Sequence, residues 1–200
     1  MTSWGTTAAE RARPLPCDAL MPYADLVLDR AVDVRAPAAR TYRWICQLRA
    51  APYSYDRIDN GGRSSPRELT PGLDRLEVGQ TVARIFTLVG FTPGEQITIQ
   101  LATDRERRWF GDVVATYAAV PAGPDTSRLL LRFRVRGVGP LRRQALTYGD
   151  LVMARKQLRT LAALAAAHPR LIAARSPGAA GAALRSEPPG GAAYRQAPPV

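Results

Sequence analysis

Apolar and charged residues alternate from Arg128 to Arg136: Leu129, Leu131, Phe133 and Val135 fall on one parity, and Arg128, Arg132, Arg134 and Arg136 on the other. Leu130 is the only apolar member of the charged set. A period of two predicts a half-buried strand. Gly137-Val-Gly139-Pro140 ends it, and Pro140 suits the first turn of a helix, where a missing N–H costs nothing. The helix predicted from there to about Ala167 has an apolar stripe at spacings of three and four: Leu141, Ala145, Tyr148, Leu151, Val152, Leu158, Leu161, Ala162 and Ala165. At 1.5 Å per residue it is roughly 40 Å long, enough to cross a sheet.

The same reading orders the rest of the chain. Residues 1–22 are small, polar and proline-marked, which predicts a mostly disordered segment. A strand follows from Ala24 to about Arg35, with Leu26, Leu28, Val32 and Val34 on one parity and Arg30 as the single charge among them. Ala36-Pro37 opens a first helix to about Leu48, buried through Thr41, Trp44, Ile45 and Leu48. Tyr53 to Asn60 predicts a short second helix, capped by Ser54 and ended by Gly61-Gly62. Residues 61–77 read as a polar loop, of a length that often serves as a lid or binding loop. Strands are predicted over 78–89, 95–103, 107–120 and 128–138. Their short connectors favour antiparallel hairpins over βαβ crossovers. Residues 169–200 are mainly Ala, Gly, Pro and Arg, a composition that predicts a disordered tail.

Length then sets the scale. Of 200 residues, the core at 23–168 is long enough to bury a hydrophobic interior without staples. Cys17 and Cys46 match neither a metal motif nor a disulfide framework, so no metal or cofactor is expected and reduced thiols suggest a cytoplasmic protein. The sequence has no apolar run of membrane-spanning length, and no basic segment followed by an apolar one near Met1, so neither a transmembrane helix nor a secretory signal is expected. The net charge is +11, carried almost wholly by arginine, with Lys156 the only lysine. This excess has two readings, a by-product of arginine-rich composition or a basic surface for an acidic protein partner or an anionic membrane.

The order strand, two helices, strand meander, long helix resembles the START-like superfamily of polyketide cyclases/dehydrases and lipid-transport proteins. Three features carry the resemblance: Val32-Asp-Val-Arg-Ala-Pro37 before a Trp-bearing helix, the meander, and Gly137-Val-Gly139-Pro140 before the terminal helix. The block Tyr53-Ser-Tyr-Asp-Arg-Ile-Asp-Asn60 also looks like a feature of an actinobacterial branch. The resemblance implies an α+β helix-grip fold, a curved antiparallel sheet wrapped around a long C-terminal helix, with two short helices after the first strand. It also implies a ligand pocket, and leaves carrier, receptor and enzyme open.

A helix laid over a concave sheet leaves space beneath it. An empty void of roughly 300 Å³ would forfeit about 7 kcal/mol, comparable to a domain's whole stability, so water, ligand or bulky side chains must occupy it. Trp44, Phe86, Trp109, Tyr117, Phe133, Tyr148 and Met153 either line or plug that space, and Val152 lies on the same predicted stripe. Arg30 leads the polar candidates, because a buried guanidinium needs an anion. Arg84 is second, and Asp112 is a partner for either. The competing reading is a bulge that turns these arginines outward, or an internal Arg–Asp pair with no ligand. Tyr53, Tyr55 and Asp56 are placed at the pocket mouth, or serve only local packing and capping.

The chemistry available is modest. His168, the only histidine, lies at the end of the last helix, away from any imidazole-dependent triad. Neither a phosphate-binding glycine motif nor a Cys/His metal cluster is present. The arginine ladder of 128–136 lacks exposed aromatics on its own face, so no nucleic acid is expected. The reading is therefore binding, sequestration or transport of a small apolar or aromatic ligand, lipid or polyketide-like. The alternatives are a cyclase/dehydratase-like enzyme, which would work by shaping its substrate, and a partner-binding module with a plugged pocket.

Overall fold

The computed structural model describes residues 2–167 and 194–196. The chain begins with a short strand β1 (Ser3–Trp4) and two short helices, α1 (Ala8–Ala12) and α2 (Pro16–Leu20). Strand β2 (Leu26–Val34) leads to helix α3 (Ala38–Cys46), a 3-10 turn at Gln47–Arg49 and helix α4 (Asp56–Asp59). The meander follows as β3 (Thr81–Val82), β4 (Phe86–Thr92) and β5 (Gln96–Leu101), then helix α5 (Asp104–Phe110), β6 (Asp112–Gly123) and β7 (Thr126–Arg136). Helix α6 (Pro140–Ala166) completes the domain, and β8 (Arg195–Gln196) adds to β4.

The sheet is curved and unclosed, in the order β1-β2-β7-β6-β5-β4-β3. Every pairing is antiparallel except that of β1 with β2. Its inner face carries the main core: Leu88, Ile97, Ile99, Tyr117, Leu129 and Leu131 from the sheet pack with Trp44 and Ile45 of α3 and Leu158 and Leu161 of α6. The fold is the predicted α+β helix-grip arrangement.

The outer face differs from expectation. Residues 2–22, predicted to be mostly disordered, are held on the sheet. Leu15, Cys17 and Met21 form a second core with Ala31, Val114, Ala118 and Leu130, which explains the one apolar residue among the arginines of β7. The arginines complete the attachment. Arg132, only 5% exposed, bonds to Asp29 and Asp18 at 2.6 Å each and to the carbonyls of Glu10, Arg11 and Arg13. Arg128 pairs with Glu10 and Asp33, and Arg134 with Asp18. The ladder that raises the net charge is thus largely neutralised by nearby carboxylates.

Two predicted strands are also corrected. Residues 104–110 form α5 where a connector and, from Arg107, the start of a strand were predicted, and Trp109 is consequently on the surface. The helix ends at Gly111, whose φ of 73° admits glycine and where a Cβ would strike the Arg136 carbonyl. Between β3 and β4, Ala83 and Arg84 take positive φ (45° and 70°), which breaks the alternation and leaves Arg84 exposed. The second helix is shorter than predicted, and Gly62 closes it through a hydrogen bond to the Asp56 carbonyl. The 61–77 loop is tied back to it, since the Asp56 carboxylate accepts from the Ser65 N–H and hydroxyl. The predicted disordered tail, apart from residues 194–196, and His168 lie outside the described residues.

Arg132→Ala should cost about 3–5 kcal/mol, because it strands the Asp29 carboxylate and three carbonyls in a half-buried site and leaves Asp18 with Arg134 alone. Urea unfolding would read that loss. Limited trypsinolysis should show a new cut after Arg11 at protease levels the parent resists, the Arg13–Pro14 bond being a poor trypsin site.

Candidate functional site

The inner face of β2 is apolar at Leu26 and Leu28, and the same parity then presents Arg30, which is completely buried. Its Nη1 donates to the carbonyls of Thr2 (2.7 Å) and Asp29 (3.0 Å). Its Nη2 lies 2.8 Å from Oδ2 of Asp150 on α6. Burial pushes the Asp150 carboxyl up to about 6, against the opposing pull of Arg30. A charge removed from water favours its neutral form, and here the guanidinium offsets only part of that cost.

Nearly two turns further along α6, Gln157 repeats the inward placement. Tyr117 of β6 donates to Gln157 Oε1 at 2.7 Å, and Gln157 Nε2 donates to the Pro52 carbonyl at 2.6 Å. Burial, then repulsion from Asp150, holds the Tyr117 hydroxyl well above its usual pKa. Beside this seam Trp44 and Tyr53 meet edge to face, with ring centroids 6.1 Å apart. Both are 1% exposed, yet among the described residues Trp44 Nε1 and the Tyr53 hydroxyl have no hydrogen-bond partner. Tyr53 sits at a φ of 57°, an unfavourable conformation for a side chain of its size. Burial raises its hydroxyl to about 12.

The structure therefore brings Arg30, Trp44, Tyr53 and Tyr117 together under α6. Phe86 and Phe133 are half-buried and pack against the main core and a smaller cluster around Leu26, Leu28 and Val135. The remaining candidates fall elsewhere. Tyr55, Arg84, Trp109, Tyr148 and Val152 are exposed, and Asp112 pairs with Arg136 at the surface. Arg30 has an internal aspartate partner, Asp150 in place of Asp112.

Asp150 and Gln157 were missed. The signal was present: with Thr147 they are polar residues at spacings of three and seven, the face that buries Ala154, Leu158 and Leu161. The predicted stripe drifted around an alanine-rich helix instead. Tyr148 and Val152 therefore lie on its outer side.

Two open clefts mark the described surface, one of them bordered by Arg159 and Ala162 of α6. One, of about 380 Å³, lies at the sheet edge between Trp4, Ala31, Arg128 and Arg159; the other, of about 320 Å³, lies by Tyr23, Arg134 and Arg136. Under α6, Trp44, Tyr53, Tyr117, Leu131 and Leu158 belong to one buried cluster. Among the described residues no group of three or more His, Cys, Asp or Glu could hold a metal. Burial drives both thiols up, Cys17 to about 11 and Cys46 to about 12, so neither is poised as a nucleophile. No described helix is long and apolar enough to cross a membrane.

No family model matches the sequence, and no curated protein matches it. Solved structures do. A protein from Nitrosospira multiformis is 17% identical with a TM-score of 0.51, over 72% of this chain and 99% of that one. The Zhui aromatase/cyclase from Streptomyces sp. R1128 is 16% identical over 73% and 96%, TM-score 0.44. A START superfamily protein from Mycobacterium smegmatis is 21% identical over 69% and 98%, TM-score 0.42. At these identities the likeness is one of fold. The architecture is the α+β helix-grip fold.

Asp150 should titrate near pH 6 in an NMR pH series, where an unperturbed aspartate titrates near 3.9. Its folded pKa lies above its unfolded one, so its contribution to stability is greatest below about pH 4 and is lost as pH rises through about 6. Asp150→Asn should remove that segment of the stability–pH curve.

Proposed function

We propose that the protein binds a small, largely apolar ligand between the inner face of the sheet and α6, with the polar seam as the ligand's polar contact. The observation that carries this reading is the pair of fully buried donors, Trp44 Nε1 and the Tyr53 hydroxyl, with no protein acceptor. Native interiors satisfy nearly all such groups, and an unsatisfied one costs about 1–3 kcal/mol. A ligand carbonyl or hydroxyl reaching them would recover that cost. Arg30 is already ion-paired with Asp150, and its Nη1 donates to two carbonyls, so its charge is opposed within the protein although its Nε has no acceptor among the described residues. A neutral polar group fits the seam better. Because this cluster is buried, entry requires side chains or α6 to move outward.

Catalysis on a polyketide-like substrate is the second reading. It is supported by Asp150, a carboxyl with a pKa of about 6 close enough to Tyr117 to repel its ionised form. Such a group is matched to proton transfer near neutral pH.

Native mass spectrometry of the purified protein should show a co-purifying apolar mass. Tyr53→Phe should raise thermal stability, since it deletes an unpaired buried hydroxyl, while weakening that ligand about tenfold. A stabilised variant with unchanged affinity would remove Tyr53 from the site. Absence of any bound mass, together with no uptake of a fluorescent apolar probe, would favour the plugged, partner-binding module.

A further inference from the structure

Five large apolar side chains are exposed on two adjoining elements: Trp109 (69%) and Phe110 on α5, and Leu141 (82%), Tyr148 and Val152 on α6. A hydrogen bond from Arg142 to the Arg108 carbonyl, 3.1 Å, joins the end of α5 to the first turn of α6. On α6, Leu141, Ala145, Tyr148 and Val152 recur at spacings of four, three and four, which places them within a narrow arc opposite the buried face. The buried side is fully engaged with the sheet, so this stripe is surplus to the core. An isolated exposed leucine needs no explanation, but a contiguous aromatic and aliphatic patch does.

The charges around it are one-sided. Helix α6 carries Arg142, Arg143, Arg155, Lys156 and Arg159 against a single acid, Asp150, which faces inward to Arg30. Arg155 and Arg159 continue the outward stripe and stack over Trp4 at 5.2 and 5.4 Å. On α5, Arg105 and Arg108 are exposed, Asp104 lies within ion-pair distance of Arg107, and Glu106 is the one other acid. Arg105, Arg108, Arg142 and Lys156 have no carboxylate in ion-pair range among the described residues. This contrasts with the β7 ladder, where each arginine has its carboxylate.

We propose that the outer face of the α5–α6 corner docks the protein onto an anionic lipid bilayer. Trp109, Phe110, Leu141 and Tyr148 would enter the headgroup–acyl boundary, and the guanidinium groups would sit among lipid phosphates. Tryptophan and tyrosine suit that boundary because one end of each ring system is apolar and the other polar. An acidic protein would satisfy the charges but would leave the apolar stripe without a matched apolar partner. The inference does not depend on whether the interior holds a ligand.

Co-sedimentation with vesicles of phosphatidylglycerol and phosphatidylcholine in equal parts tests it. Binding is expected at about 0.1 M salt, accompanied by a blue shift of Trp109 emission, and should weaken strongly at about 1 M, where the screening length falls to about 3 Å. Phosphatidylcholine alone should bind far less. Trp109→Ser with Leu141→Ser should lose at least about tenfold in affinity with an unchanged far-UV spectrum, because both positions are exposed. Arg108→Gln with Arg142→Gln should lose about fivefold per charge. No sedimentation of the parent with anionic vesicles would overturn the proposal. So would equal binding by parent and variants, or a dimer in solution that the Trp109/Leu141 variant dissociates.

Discussion

A guanidinium on the concave face of a sheet and a carboxylate on the helix above it constrain everything around them. Arg30 has no exposed surface, and its charge is opposed by Asp150 at 2.8 Å. Once buried, neither group can be left alone, because an uncompensated charge in the interior costs more than the pair contributes. The pair therefore fixes the rotation of α6 about its own axis. With Asp150 turned inward, Ala154, Gln157, Leu158 and Leu161 follow on the same face, and Tyr148 and Val152 must face outward. The Tyr117–Gln157–Pro52 chain sets the same orientation nearly two turns later.

The two faces of the sheet use arginine in different ways. On the inner face one arginine is tied to one helix. On the outer face Arg128, Arg132 and Arg134 gather Glu10, Asp18, Asp29 and Asp33, and so hold a segment too short to fold alone. Thr2 links the faces, since its carbonyl accepts from Arg30 while β1 extends the sheet edge. The net charge of +11 thus overstates the free basic surface.

Much of the fold was legible because its signals are local. Alternation in β7, Pro140 at a helix start and short polar connectors each depend on a few adjacent residues. Arg30 was legible for the same reason, as one charge in an apolar parity. What stayed hidden depended on distant contacts. Residues 2–22 have a loop-like composition and are ordered through distant contacts, an apolar cluster with the sheet and arginines more than a hundred positions away. The face of α6 was ambiguous because alanine and leucine occur all round it, and only Arg30 reveals which side Asp150 must occupy. Trp109 was misplaced because Arg107 to Val120 has strand-forming residues beyond Gly111 but a helical turn before it.

A double-mutant cycle on Arg30→Met and Asp150→Leu, followed by urea unfolding, tests the central constraint most directly. Each single substitution leaves one buried charge unpaired and is expected to cost about 3–5 kcal/mol, whereas the double variant, with both charges gone, should recover most of that loss. Costs that simply add in the double variant would show that the two residues are not coupled, and would contradict this account of how α6 is set against the sheet.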